Sequence, residues 1–226
     1  MHPDQSEPAL DLTTDGEQRV FLGDVRWKTF KTLLNDLGNP HGRLAYDRGL
    51  LEIMAPSSEH EFVKRLLGRM IEALTEELAI PVRSLSSTTL RRRDRKSGIE
   101  PDECYYIGHD PLARKRRQID LRRDPPPDLA IEVDISRSSL VRMRIHGALG
   151  IPEVWRWHGD TLEIWRLQPD GEYREASQSA LLPMLPIAGL KRFLDQRDEH
   201  NETEIIRAFR RWVRERFPPA QGSDPG

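Results

Sequence analysis

From Asp128 to Ile135 apolar and acidic positions alternate, with Leu129, Ile131, Val133 and Ile135 on one side and Asp128, Ala130, Glu132 and Asp134 on the other. A two-residue period predicts a strand. Elsewhere the period is helical. Trp27, Phe30, Leu33, Leu34 and Leu37 predict a short helix stopped by Gly38. Phe62, Leu66, Leu67, Met70, Leu74 and Leu78 predict a long one, capped by Ser57 or Ser58, with Glu61 in the capping-box position, and ended by Pro81. Between them Leu44–Tyr46 and Leu50–Met54 read as a hairpin turning at Asp47-Arg48-Gly49. Val82–Leu90 and Ile99–Ile107 read as strands around a charged turn, Arg91–Gly98, and a basic, proline-flanked loop leads to the acidic strand. Ser136 to Ser139 offer caps for a helix running to Leu149, stopped by Gly150. Glu153–Trp157 and Thr161–Leu167 form a second hairpin, a weak strand follows near Tyr173, and Leu190–Leu194 and Glu204–Val213 are late helices.

This order predicts an α/β (α+β mixed) fold with a central mixed sheet flanked by helices. Residues 1–18 and 218–226, rich in Pro, Gly, Ser and acids, read as tails around a single domain over 19–217. Cys104 is the only cysteine, so neither a disulfide framework nor a cysteine zinc site is available, and a reducing, cytoplasmic compartment is expected. No apolar run approaches the ~18 residues of a membrane span. The formal charge is −2, but between Arg83 and Arg123 twelve basic residues stand against six acidic ones, so this segment carries +6 and the rest −8. Either a solvated loop or a polyanionic partner fits that segment. There is no phosphate-binding glycine loop, no GxSxG elbow and no HExxH helix.

Three acids on one face of a short strand repel one another, and burying any of them requires neutralisation, a partner or a cation. An amphipathic strand with its polar face in water is the simpler alternative. Oxygen-rich donors suit Mg²⁺ or Mn²⁺. Asp102, in Glu100-Pro101-Asp102, and Glu132 on an adjacent strand would together make a minimal metal site able to activate water against a phosphodiester. His60, beside Glu59 in the first turn of the long helix, is the one histidine with a functional setting.

Four segments, Leu51–Glu61, Glu100–Asp102 with Tyr105-Tyr106-Ile107, Pro127–Val133 and Ala148–Arg156, closely resemble the Uma2-like family of restriction-endonuclease-like proteins, over roughly Arg19 to Leu194. The resemblance implies the PD-(D/E)XK nuclease fold. It places Asp102 in the aspartate position and Glu132 in the acid position of that motif, with Glu59 or Glu52 as a further acid and Asp128 as an outer contact. Asp134 stands where the superfamily has lysine, and the acid–lysine pair of the following helix reads Val141-Arg142. Arginine stays protonated, so Arg142 can hold phosphate charge but cannot serve as a general base. The implied function is a Mg²⁺-dependent endonuclease that hydrolyses DNA by metal-activated water. Asp102 and Glu132 hold metal, Asp134 adds charge, and Arg142 or Arg144 steadies the phosphate. Arg91, Arg92, Arg93, Arg95 and Lys96, with Arg114, Lys115, Arg116 and Arg117, are the expected nucleic-acid contacts. Two alternatives stand beside it: a catalytically weakened nuclease fold that binds DNA or assembles, and a homodimer formed through the Trp155–Trp157 hairpin.

Overall fold

The computed structural model describes residues 16–36, 42–113, 115–116, 119–135 and 140–218. Eleven strands form two sheets among the described residues. The first contains β1 (Gln18–Leu22), β2 (Arg43–Asp47), β3 (Leu50–Ala55), β5 (Leu90–Arg92) and β6 (Ser97–Ile99), in the order β1-β3-β2-β6-β5, all antiparallel. The second contains β4 (Arg83–Ser84), β7 (Glu103–Tyr106), β8 (Leu129–Asp134), β9 (Glu153–His158), β10 (Thr161–Leu167) and β11 (Tyr173–Ala176), in the order β11-β10-β9-β8-β7-β4. Its one parallel pair, β8 with β9, needs a crossover, and the helix α4 (Leu140–Leu149) supplies it. The remaining helices are α1 (Trp27–Asp36), α2 (Ser58–Glu77), the short α3 (Asp110–Ala113), α5 (Ile187–Leu194) and α6 (Glu202–Arg216). The mixed α/β class agrees with expectation, as two sheets rather than one.

Local chemistry explains the breaks. Arg48 and Gly49 both have positive φ, +48° and +108°, which is the geometry of a tight hairpin turn and the reason glycine stands there. The expected strand Ile99–Ile107 is interrupted at Glu100-Pro101-Asp102, because Pro101 has no N–H for a ladder; the chain leaves the first sheet after Ile99 and enters the second at Glu103. Asp102 therefore sits at the joint between the sheets. Val82–Leu90 is likewise two short strands in different sheets, with Ser86 in the left-handed region between them (φ +51°). The amino-terminal boundary also moves: Gln18 begins β1, and the Glu17 side chain is fully buried. The caps expected at Ser136 to Ser139 and the stop at Gly38 lie outside the described residues.

Three apolar layers hold these sheets. Leu129, Ile131, Val133, Trp155 and Trp157 pack under α2, α5 and α6. Ala45, Leu90 and Ile99 of the first sheet meet Cys104, Ala130 and Val154 of the second, with Ile145 and Leu149 of α4 beside them. Phe30 of α1 closes the outer face of the first sheet over Leu44, Tyr46 and Leu51, stacking on Tyr46 at 4.9 Å. The acidic alternation of β8 is thus buried on both faces. Trp155 and Trp157 are fully buried, so these two tryptophans present no surface for a homodimer. No helix among the described residues is long and apolar enough to cross a membrane.

Gly98 is constrained by this packing, since a Cβ there would lie 2.8 Å from two ring carbons of Phe30. Gly98→Ala is expected to lower stability by about 1–3 kcal/mol, read from urea unfolding.

Candidate active site between the two sheets

Ala45 faces the interlayer, so the period of two places Arg43 and Asp47 of β2 there as well, together with Glu52 of β3, the cross-strand neighbour of Ala45. Ala130 does the same for Glu132 and Asp134, and Val154 for Arg156. Arg142 and His146 project from one face of α4, four residues apart. From α2 come His60 and Glu61, in a first turn capped by the Ser57 hydroxyl, which accepts from His60 N at 3.1 Å.

Glu132 lies at the centre of one half of the cluster. Arg142 Nε donates to Glu132 Oε2 at 2.6 Å, Arg142 Nη2 lies 3.3 Å from Oε1, and His146 Nε2 lies 2.5 Å from that same oxygen. Arg142 Nη2 also donates to the Glu100 carbonyl at 2.7 Å, and Nη1 is 3.8 Å from Glu52 Oε1. Burial alone would raise the Glu132 carboxyl; Arg142 and His146 outweigh it and hold the group down at about 2, so Glu132 is ionised. Burial would equally weaken the charge on Arg142, and Glu132 and Glu52 outweigh it, so its guanidinium is held more firmly protonated. At Glu52 burial prevails over Arg142 and Arg19 and pushes the carboxyl up.

Asp102 organises the other half. Its Oδ2 accepts from Val133 N at 2.6 Å, and its Oδ1 meets the Arg43 guanidinium and stands 3.0 Å from His60 Nε2. Arg43 Nη1 is 3.1 Å from His60 Nε2, while its Nη2 donates to Glu61. His60 Nδ1 lies 2.8 Å from Glu17 Oε2. Burial lowers the His60 ring below its ordinary value despite Glu17. A neutral ring with its proton on Nδ1 donates to Glu17 and leaves Nε2 to accept from Arg43, whose guanidinium then stands between Nε2 and Asp102 as the donor to both. Arg19 joins the halves: it donates to Glu17 at 2.6 Å, to Glu52 at 3.0 Å and to Asp134 at 2.7 Å, and Arg156 holds the second oxygen of Asp134 at 2.8 Å.

Five carboxylates whose side chains are essentially buried (Glu17, Glu52, Asp102, Glu132, Asp134) thus face four arginines (Arg19, Arg43, Arg142, Arg156), leaving one negative charge in excess. Glu52 Oε2 is buried with no hydrogen-bond partner among the described residues. That excess and that free oxygen agree with either a proton on Glu52 or a cation. Among the described residues no three His, Cys, Asp or Glu side chains are grouped so as to cage an ion. Carboxylate oxygens are the donor type that an ion such as Mg²⁺ takes, one or two of them with water and phosphate completing its shell; those of Asp102 and Glu132 are engaged by Val133 N–H, Arg43, Arg142 and His146, which an ion would have to displace in part.

Asp102, Glu132, Asp134, Arg142, His60 and Glu52 come together here. Glu59 does not: it points away from the cluster, half-exposed, to Arg197 at 3.0 Å. Asp128 lies four residues before Glu132, roughly 13 Å along the strand. It accepts from the backbone N–H of Ile107 at 2.7 Å and of His109 at 3.0 Å, so it fixes the loop after β7. Arg91 to Lys96 form the β5–β6 turn and its flanks, Lys115 and Arg116 are exposed elsewhere, and Arg114 and Arg117 lie outside the described residues. Sequence reasoning missed Arg43, His146 and Arg156, although Arg43 alternates with Leu44 and Ala45, Arg156 stands between two core tryptophans, and His146 is one turn from Arg142. It also missed Glu17, Arg19 and Glu61 as site residues; Glu17, inside the presumed tail, carried no signal.

Residues 27–194 match a family model, Uma2, described as "Putative restriction endonuclease". No curated protein matches the chain. Among solved structures, the chain is similar to a crystal structure of "a putative nuclease belonging to DUF820" from Anabaena variabilis ATCC 29413. The match covers 82% of this chain and 99% of that one, at 15% identity and a TM-score of 0.45.

Proposed function

The chain belongs to the Uma2 family of restriction-endonuclease-like proteins, and on that premise we propose that it is an endonuclease hydrolysing phosphodiester bonds of DNA. The observation that carries this reading is the pair Asp102, at the entry to β7, and Glu132, on the neighbouring strand β8, in a buried site with the Arg142 guanidinium fixed beside Glu132. Asp102 and Glu132 would hold Mg²⁺ or Mn²⁺, with Glu52 the next carboxylate, and the ion would supply charge neutralisation at the phosphate and an acidified water. The protein's own groups divide the remaining work. Val133 N–H orients Asp102, and Glu17 fixes the ring of His60. Arg142 and Arg156 place positive charge where a phosphate gains negative charge, and neither releases a proton. Glu52, whose Oε2 has no hydrogen-bond partner among the described residues, would take the proton that a lysine would otherwise manage once its carboxyl is ionised beside a bound cation.

The test is nicking of supercoiled plasmid with Mg²⁺ or Mn²⁺. Asp102→Ala and Glu132→Ala are each expected to lower the rate at least about 100-fold, a loss of ~2.7 kcal/mol or more in transition-state stabilisation. Undiminished nicking by both variants would contradict the assignment. A second reading, a DNA-binding module without cleavage, draws on the engagement of both Glu132 oxygens by Arg142 and His146; it expects salt-dependent binding and no metal-dependent nicking by the unaltered protein.

A further inference from the structure

Beside the buried cluster a cleft of about 900 Å³ opens between the β5–β6 turn, the outer side of α4 and the β10–β11 end of the second sheet. Four arginines line it. Arg48, Arg95 and Arg144 stand at its rim with more than half of each side chain exposed, and Arg156 forms its buried floor. Asp94 and Glu172 are its acids, so the lining carries a formal charge of +2. Arg48 and Arg144 share one carboxylate, Asp47, at 3.0 and 3.4 Å, which leaves two guanidiniums against one anion at the mouth. Trp165 and Tyr173, half-buried, supply aromatic wall.

The floor connects this cleft to the reaction centre, because Arg156 both lines it and holds Asp134 at 2.8 Å. A polyanion laid along the rim arginines would be led to the edge of the acid cluster. Guanidiniums grip phosphate by paired N–H donors, and aromatic rings stack unpaired bases without regard to sequence. The bases of a duplex are already stacked and paired with one another, so the aromatic wall has a use only for an unpaired strand.

We infer that this cleft binds an unpaired nucleic-acid strand, with Arg48, Arg95 and Arg144 on its phosphates and Trp165 and Tyr173 beside its bases. The inference rests on the nuclease reading and adds the path and form of the substrate. It also separates Arg95 from the other basic run. Arg116 and Arg123 line a second cavity, of about 390 Å³, with Tyr106 and Pro125, and have no part in the path.

Fluorescence anisotropy with a fluorescein-labelled single-stranded oligonucleotide and its duplex, in EDTA to prevent cleavage, tests the assignment. The unaltered protein is expected to bind the single strand more tightly than the duplex. Arg95→Glu/Arg144→Glu should weaken single-strand binding at least tenfold and flatten its dependence on log salt by about 1.4, that is ~0.7 for each of two phosphate contacts. Arg116→Glu/Arg123→Glu should bind like the unaltered protein. Because Arg95, Arg144 and Arg116 are exposed, unchanged melting temperatures would show that the variants are folded. Absent single-strand binding, tighter duplex binding, an unaffected Arg95/Arg144 variant, or a larger loss in the Arg116/Arg123 variant would each overturn the cleft assignment. Plasmid nicking on the same preparations keeps the two proposals apart. Cleft-dependent binding with no metal-dependent nicking rejects the nuclease reading and keeps the cleft; nicking that needs Asp102 but ignores Arg95 and Arg144 does the reverse.

Discussion

Glu132→Ala is expected to lower folding stability by about 3–5 kcal/mol, because it strands a charged group inside the protein. Arg142 is 1% exposed and takes two of its contacts from Glu132; without that carboxylate its nearest acid oxygen is on Glu52, at 3.8 Å, too far for a hydrogen bond. The ring of His146, fully buried, loses at the same time its one hydrogen-bond partner among the described residues, where its Nδ1 has none. Removing the cation together with the anion has a different cost: Glu132→Leu/Arg142→Met replaces the pair by apolar groups of similar volume, and is expected to fall within about 2 kcal/mol of the unaltered protein. Glu59→Ala provides the contrast, since its ion pair with Arg197 is partly solvated and worth at most about 1 kcal/mol. Urea unfolding of the three variants checks the ranking. A Glu132→Ala no less stable than Glu59→Ala would show that Glu132 and Arg142 are not coupled as described.

Acid should dismantle the same pair. Glu132 titrates at about 2 in the folded protein against 4.5 for an unperturbed glutamate, so its folded value is depressed. The stability it contributes is complete above about pH 4.5 and is lost as pH falls through about 2. The difference amounts to roughly 3 kcal/mol at 1.36 kcal/mol per pH unit. Glu52 acts with the opposite sign: burial raises its carboxyl, so its protonated form is the one the fold prefers, and lowering the pH relieves a cost there. The urea midpoint of the unaltered protein is expected to drop steeply between pH 4.5 and 2, and that of Glu132→Leu/Arg142→Met less steeply. Parallel pH profiles would refute the role given to Glu132.

The alternation of Asp128 to Ile135 was legible because strand geometry and hydropathy agree there. Its burial on both faces was not, since that depends on a second sheet contributed by residues 18–99. The same limit hid the cations. Arg43 and Arg156 carry the period-two signal as clearly as Glu132 does, but an arginine in a strand is read as solvent-facing until an acid opposite it is known. Pro101 did announce the break between β6 and β7; flanking residues of high strand propensity concealed it. β1 escaped notice because it is an edge strand paired only with β3, and its start lies in a polar, acidic stretch. The family motifs pointed to Asp102, Glu132 and Arg142, which the fold gathers in one cluster, and to Glu59 or Glu52, of which it gathers Glu52; on the first turn of α2 it is His60 and Glu61 that turn toward Arg43.

The contact between Arg19 and Asp134 spans 115 positions, whereas Glu132 and Arg142 are ten apart. Closing the longer loop costs only about 2 kcal/mol more than closing the shorter one, since the entropy of closure grows with the logarithm of length. The long-range tie is therefore cheap to hold in the finished molecule, but no fragment that ends before β8 can make it. The buried cluster closes only when β1 meets β8 and when α4 and β9 have added Arg142, His146 and Arg156, so a partly made chain carries its acids without the cations that hold them.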